Sequence, residues 1–487
     1  MIKHFLLKMN RDRILYLKDN FAATPEELSL LQLEGYTDTS VYIQLLQLRG
    51  RRSEEALYFH LIEEECGKAA CDVRKELAFI RSSNPPAEIS METYFKYGAY
   101  TLNVLIDEKA LTQWIDKLSR YFYLRDYIIR KIEEDWTHFP AFEKETEEAR
   151  NLLAGMLSGG RKKELIEAIK DIHPDLMDNT EEYDKVAVDM ELSVDVLGFV
   201  PEEYVSYHFR EKTVPERLEY VSDRLRKKVS ILLNSDEGRD ILNNKYLAYQ
   251  TLKPLYGRKI RRMNAEKGFT AFAEAFQENS VLVKKNNFQS LGKEIEKIEV
   301  TENTDNRALY ERLAENGKYY ILEDLIIPHP ELKRLNPASV NTIRMVTFLD
   351  GEEPVVLDTF LRVGRKDSFV DNGGSGGIFV HLNPAEGITD SHGIDERGFV
   401  YELHPDHSYR FCGISMPLWN EAVKTAKKAA LTIPGARYVG WDIVCTEDKR
   451  WIIVEGNSMT MYIGQQATVG IGKRRALMDA IHYEELT

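Results

Sequence analysis

The sequence predicts an α+β protein, with a mainly α-helical N-terminal region followed by a C-terminal half built on a largely antiparallel sheet. Three observations lead there. Apolar residues recur at helical spacing through the first third of the chain, short β-rich runs succeed one another after about residue 280, and only two helical stretches interrupt those runs. Strands in hairpin-like succession, with helices between some of them, indicate an antiparallel sheet rather than alternating βαβ units.

The elements follow in chain order. Residues 1–170 are rich in Glu, Lys, Leu and Arg, and Leu111, Ile115, Leu118, Phe122, Leu124, Ile128 and Ile132 sketch an apolar stripe for packing. Asn84-Pro85-Pro86 and Gly159-Gly160 mark loop points. Residues 171–240 read as a helical connector, in which Leu218, Val221, Leu225, Val229 and Leu232 share one helical face over 215–234. Arg224, Arg226, Lys227 and Lys228 beside that stripe read as a solvated face. Strands are expected at 281–285, 319–326, 342–349, 354–363, 377–382, 438–445 and 451–455, with helices at 308–316, closed by Gly317, and 420–431.

Composition narrows the function classes. The 487 residues are enough for about three units at roughly 100 to 200 residues per domain. A hydrophobic fraction of 43% with 30% charge is that of a soluble globular chain. No run approaches the roughly 18 apolar residues of a membrane span, and charge interrupts Met1 to Lys8 before a signal segment could form, so a cytoplasmic protein is expected. The net charge of -14 argues against a general nucleic-acid binder, though a cationic pocket can sit in an acidic shell. Four cysteines, Cys66, Cys71, Cys412 and Cys445, are too few for a disulfide framework, and the first two are expected to be buried thiols rather than metal ligands.

The most informative stretch is 438–457. If its turn closes with Thr446 opposite Trp451, antiparallel pairing puts Ile443 opposite Val454 and Asp442 opposite Glu455. Two carboxylates whose Cβ atoms stand about 4.5 to 5.5 Å apart destabilise a sheet unless something compensates. Period-2 alternation adds Asn457 to the same face, opposite Gly440, which leaves room for a ligand. Asp, Glu and an amide oxygen together form a hard-oxygen site suited to Mg2+.

Asp442 followed by Glu455-Gly456-Asn457 on a paired strand resembles the metal triad of the ATP-grasp superfamily. More narrowly, Asn336-Pro337-Ala338-Ser339-Val340-Asn341-Thr342-Ile343-Arg344, Asp371-Asn372-Gly373-Gly374-Ser375-Gly376-Gly377 and Val439-Gly440-Trp441-Asp442-Ile443 look like the sugar-transfer-associated and teichuronopeptide-type members. The resemblance runs from about residue 243 to the C-terminus. It implies a first lobe and hinge over 241–330 and a catalytic lobe over 331–487, which grip ATP between them.

By that resemblance, Lys245 and Lys284 meet phosphate oxygens, with Lys285 able to replace Lys284. The strand bearing Glu323 and Leu325 is the hinge that reads adenine. Arg344 binds transferred phosphate or acyl-phosphate oxygens as a bidentate fork. Four glycines in the seven residues 371–377 suit a loop that offers backbone amides to an acyl phosphate, so Asn372, Gly376 and Gly377 join Arg344 as catalytic candidates. Two departures stand out: 286–292 is no glycine-rich flap, and Gly440 stands where many relatives carry Arg.

The resemblance therefore implies a Mg2+- and ATP-dependent ligase that joins a small-molecule carboxylate to an amine through an acyl phosphate, in a carbohydrate or cell-surface polymer context. Such chemistry needs positioning and charge neutralisation rather than an internal nucleophile, and no Ser-His-Asp or Cys-His arrangement is present. The alternatives are a phosphotransferase, with His381 or His392 as acceptor, and a nucleotide-binding module without turnover.

Overall fold

The computed structural model describes residues 108–134, 142–263, 268–288, 295–314 and 320–483. Cys66, Cys71 and the break at Asn84-Pro85-Pro86 lie outside them. The chain divides into two compact units, the first ending at Leu192 and the second formed mainly by Ser193–Thr487.

In the first unit the stripe behaves as packing. Leu118, Leu124, Ile128 and Ile132 are buried along the helix Glu108–Glu134, together with Tyr121. The glycine pair at 159–160 opens a new helix, Gly159–Ile169, after Glu143–Ala154 has ended.

In the second unit the helix expected over 215–234 is two, Val214–Leu218 and Asp223–Leu233. Ser222 takes an extended conformation between them and its hydroxyl accepts from the Leu225 amide, a cap that restarts the helix in a new phase. Val229 and Leu233 are consequently buried, while Leu232 is 41% exposed. The solvated-face reading fails for Arg226, which is buried, donates to the Met459 carbonyl and pairs with Asp223. Arg224 instead wraps back onto the carbonyls of Val196 and Asp195.

Glu203 supports this restart from below. It is 1% exposed, and one carboxyl oxygen accepts from the amides of Val200 and Asp223 at 3.1 Å each. Burial, opposed only in part by those bonds, pushes its carboxyl up to about 8. With the folded value above the unfolded one near 4.5, its contribution to stability is present at acid pH and drains away as pH rises towards about 8. Glu203→Gln keeps an acceptor oxygen and removes the ionisation. Its melting temperature should gain on that of the parent between pH 5 and pH 8, and a constant difference across that range would refute the neutral-carboxyl account.

Among the described residues, eleven strands form two sheets. The smaller, ordered β1-β4-β2-β3, comprises β1 (Ile260–Met263), β2 (Val281–Asn286), β3 (Glu296–Glu299) and β4 (Tyr320–Asp324). Helices Gly268–Glu278 and Asn306–Ala314 cover one of its faces, with Phe272, Phe276 and Leu313 packed on Leu282, Ile298 and Leu322.

The larger sheet comprises β5 (Ile343–Asp350), β6 (Glu353–Val363), β7 (Ile378–Leu382), β8 (Thr389–Ile394), β9 (Val400–Tyr401), β10 (Tyr438–Cys445) and β11 (Trp451–Asn457). Its order is β11-β10-β5-β6-β7-β8-β9, antiparallel throughout. One face carries Ile343, Met345, Leu361, Val380 and Trp441 and is sealed by the helix Trp419–Thr432. The buried side chains of that helix include Ala422, Ala426, Ala429 and Ala430, small enough to let it lie close to the strands. The opposite face carries the charges.

Candidate functional site

Alternation along the strands puts Arg344, Asp442 and Glu455 on the charged face, and register lines them up. Arg344 on β5 faces Asp442 on β10, which faces Glu455 on β11. Gly440 faces Asn457 two residues along. The two expected pairings of the site are present, by another route than assumed. Near the turn every pair is shifted by one, Cys445 with Trp451 and Ile443 with Ile453, and a bulge between Asp442 and Ile443 restores the register.

What compensates the facing carboxylates is a set of cations. Arg344 Nε donates to Asp442 Oδ1 at 2.5 Å and a second guanidinium nitrogen reaches Oδ2 at 3.3 Å. Arg362 on β6 donates to the same Oδ2 at 3.0 Å and lies 3.2 Å from Asp371 Oδ1. Lys245 Nζ stands 3.4 Å from Glu455 Oε2. Burial alone would raise the Asp442 carboxyl, but Arg344 and Arg362 outweigh it and hold it below the usual carboxylate range. Burial likewise opposes charge on Arg362, and Asp442, Asp371 and Glu455 more than restore it.

Gly440 has a local reason. A Cβ there would collide with Thr460 Oγ1 and stand 3.1 Å from Arg344 Cδ, so Arg344 fills from the neighbouring strand the space beside Asp442. Its guanidinium also donates to Thr460 Oγ1 at 3.1 Å.

Arg344, Arg362, Asp371, Asp442, Glu455 and Asn457 line a cavity of about 920 Å³ within the second unit. Its wall also takes in Glu323, Leu325 and Ile326 from the end of β4 and the residues after it, and Asn372, Gly373 and Gly374 of the glycine loop. Glu323 is 2% exposed and held by Arg258 and by Lys285, each at 2.5 Å. Its carboxyl sits below the usual range because those two cations overcome the effect of burial. Lys285 is therefore the β2 lysine on the cavity wall. Lys284 takes the opposite face of the strand, its ammonium 5.5 Å from the Tyr320 ring centre. Leu325 follows the last paired residue of β4, so its backbone extends past the ladder at the cavity edge.

In the glycine loop the expected roles divide. Asn372 lines the cavity, whereas Gly376, with φ of 83°, shapes the turn. Gly377 is required because a Cβ would collide with the Asp371 carbonyl oxygen. The loop is anchored by Asp371, whose Oδ2 accepts from the Thr342 amide at 2.6 Å and the Thr342 hydroxyl at 2.9 Å.

Asp442, Glu455 and Asn457 could hold a divalent cation. Their oxygen donors, two carboxylates and an amide, suit Mg2+ in kind. Among the described residues no cluster of three or more His, Cys, Asp or Glu side chains is placed to hold a metal, so this site depends on the Asn457 amide.

Sequence reasoning missed Arg362 and Arg258, and singled out Asp371 only as the start of the glycine loop, not as its anchor. The signal for Arg362 was present, since it is the one charge in Thr359-Phe360-Leu361-Arg362-Val363, a run apolar enough to be buried on both faces. Nothing local marks Arg258.

Residues 275–478 match the family described as sugar-transfer associated ATP-grasp. No curated protein matches the chain. Among solved structures, the chain is similar to the ATP-grasp ligase PsnB complexed with a minimal precursor, at 14% identity over 52% of this chain and 64% of that one, with a TM-score of 0.33. It is also similar to D-alanine–D-alanine ligase from Bacillus anthracis, at 14% identity over 53% of this chain and 74% of that one, with a TM-score of 0.33. A third is N5-carboxyaminoimidazole synthase from Aspergillus clavatus in complex with ADP and an aminoimidazole ribonucleotide, at 14% identity, 49% and 51% coverage and a TM-score of 0.29. The chain spans less than two thirds of the length of the PsnB chains it matches.

Proposed function

We propose, with residues 275–478 as an ATP-grasp region, that the protein is an ATP-dependent ligase which activates a carboxylate as an acyl phosphate and couples it to an amine, releasing ADP and phosphate. The observation that carries this reading is the row Arg344, Asp442 and Glu455, with Arg362 beside it, on the wall of a cavity whose wall also includes the end of β4.

In this reading the adenine edge meets the backbone beyond Asp324, since the Glu323 carboxylate is already engaged by Arg258 and Lys285. Asp442, Glu455 and Asn457 would hold Mg2+, which supplies charge neutralisation to the β- and γ-phosphates. Arg344, Arg362 and Lys245 then exchange carboxylate partners for phosphate oxygens. The carboxylates they leave, Asp442 and Glu455, would then be neutralised by the Mg2+ that enters with the nucleotide. Arg344 and Arg362, two rigid forks on adjacent strands, orient the transferred group and take up the charge that develops on it.

The phosphotransferase reading is weakened by its acceptors. His381 is held by Asp390 at 2.5 Å with Asp358 at 3.6 Å, and neither it nor His392 lines the cavity. We take the substrates to be a sugar acid and an amino acid, in keeping with the family description.

Hydroxylamine intercepts acyl phosphates. The protein with Mg2+, ATP and its acid should therefore form a hydroxamate and release ADP. AMP and pyrophosphate in place of ADP would mean adenylation, and a stable phosphorylated product without hydroxamate would mean a phosphotransferase. Either would overturn the ligase.

A further inference from the structure

Among the described residues eight carboxylates line the cavity, and six of them are held by Lys or Arg. Of the two others, Glu202 is exposed and Glu396 is half-buried. Glu396 has no hydrogen-bonded or ion-paired partner on its carboxyl among the described residues, and it does not stand there by accident of a loose loop. Its neighbour Asp395 ties the β8–β9 turn, accepting from the amides of Arg397 and Phe399 and from the Tyr401 hydroxyl. The Ser206 hydroxyl donates to the Glu396 carbonyl at 3.0 Å. The carboxyl is pressed against the glycine loop, in the space that a Cβ on Gly373 would need.

A carboxyl on an anchored turn, with no cation bonded to it and beside the loop that would cover an acyl phosphate, has the placement of a proton acceptor. We propose that Glu396 is the general base for the incoming nucleophile, taking the proton that a primary amine must lose as it attacks the acyl phosphate. The proposal rests on the ligase reading above and extends it to the second half-reaction. The amine lone pair forms the C–N bond, the C–O bond to phosphate breaks, phosphate leaves with that electron pair, and the nitrogen's proton passes to Glu396 and from there to the departing phosphate or to solvent. The charged groups around it agree. Burial first, then Glu202 and Asp395, raise its carboxyl above the ordinary range, against the pull of Arg362, which brings it closer to the working pH of a base.

The test separates the half-reactions. Glucuronate, galacturonate and the twenty amino acids are offered as acids with Mg2+ and ATP, against either hydroxylamine, which attacks without a base, or the pooled amino acids as amines. With Glu396→Gln, hydroxamate should form at close to the parental rate while amide formation falls by about 100-fold or more. Glu396→Asp should recover part of the loss. Melting temperature and Mg-ADP binding check each variant's fold, and a Glu396→Gln chain that does not fold passes the decision to Glu396→Asp, which should show the same split in smaller degree.

Loss of hydroxamate and amide together in a folded variant, or loss of neither, would overturn the assignment. Hydroxamate absent from the parent with every acid would take down the ligase reading itself, and the step assigned to Glu396 with it.

Discussion

Asp442→Asn is expected to lower ATP-dependent ADP release by about three orders of magnitude, the upper end of what losing one preorganised charge contact costs. The substitution removes the carboxylate that would hold Mg2+, and leaves the guanidinium of Arg344 and that of Arg362 facing an uncharged amide. Because both arginines are nearly buried, the unfolding free energy should also fall, by about 3 to 5 kcal/mol, the usual cost of breaking a buried pair from one side. Activity at a temperature well below the variant's own melting point separates the two effects. A folded Asp442→Asn protein that still released ADP at the parental rate would exclude Asp442 from the metal site.

Arg344→Lys should be the second largest lesion, with kcat down about 10²- to 10³-fold and KM for ATP changed only a few-fold. Lysine keeps the charge but offers no fork, and Arg344 uses that fork on both oxygens of Asp442. Phosphate oxygens of the same spacing would be met in the same way. Steady-state kinetics at saturating acid and amine give both constants. A raised KM with kcat intact would reduce Arg344 to a ground-state anchor.

Why the site was partly legible follows from the range over which each interaction acts. Asp442, Glu455 and Asn457 lie on one hairpin, where alternation and turn length are local facts, and the pairing could be proposed from 20 residues of text. Lys284 and Lys285 illustrate the limit. Which of two adjacent lysines faces the cavity depends on the side of β2 that the helices cover, and Tyr320 and Leu322, far along the chain, decide it. Strands β1, β3, β8 and β9 escaped notice because they are short or mixed in polarity, and gain their structure from neighbours: Ile260-Arg261-Arg262-Met263 becomes a strand by pairing with Tyr320 to Glu323. The helix start at Asp223 was legible in principle, since Ser222 is a cap residue, but the apolar stripe ran through it unbroken.

The bulge beside Asp442 has a consequence for how this hairpin tolerates change. It works as a slip joint, because the tip from Ile443 to Ile453 and the base from Gly440 to Asn457 keep separate registers that meet only there. A one-residue insertion or deletion in the turn at Thr446 to Arg450 can be taken up by shifting, doubling or erasing that joint. The carboxylates stay opposed because Asp442 is also pinned from its other side by β5. The place for such a change is the exposed stretch Asp448 to Arg450, because the Glu447 amide and the Cys445 carbonyl on either side of Thr446 are bonded to Ile327 and His329.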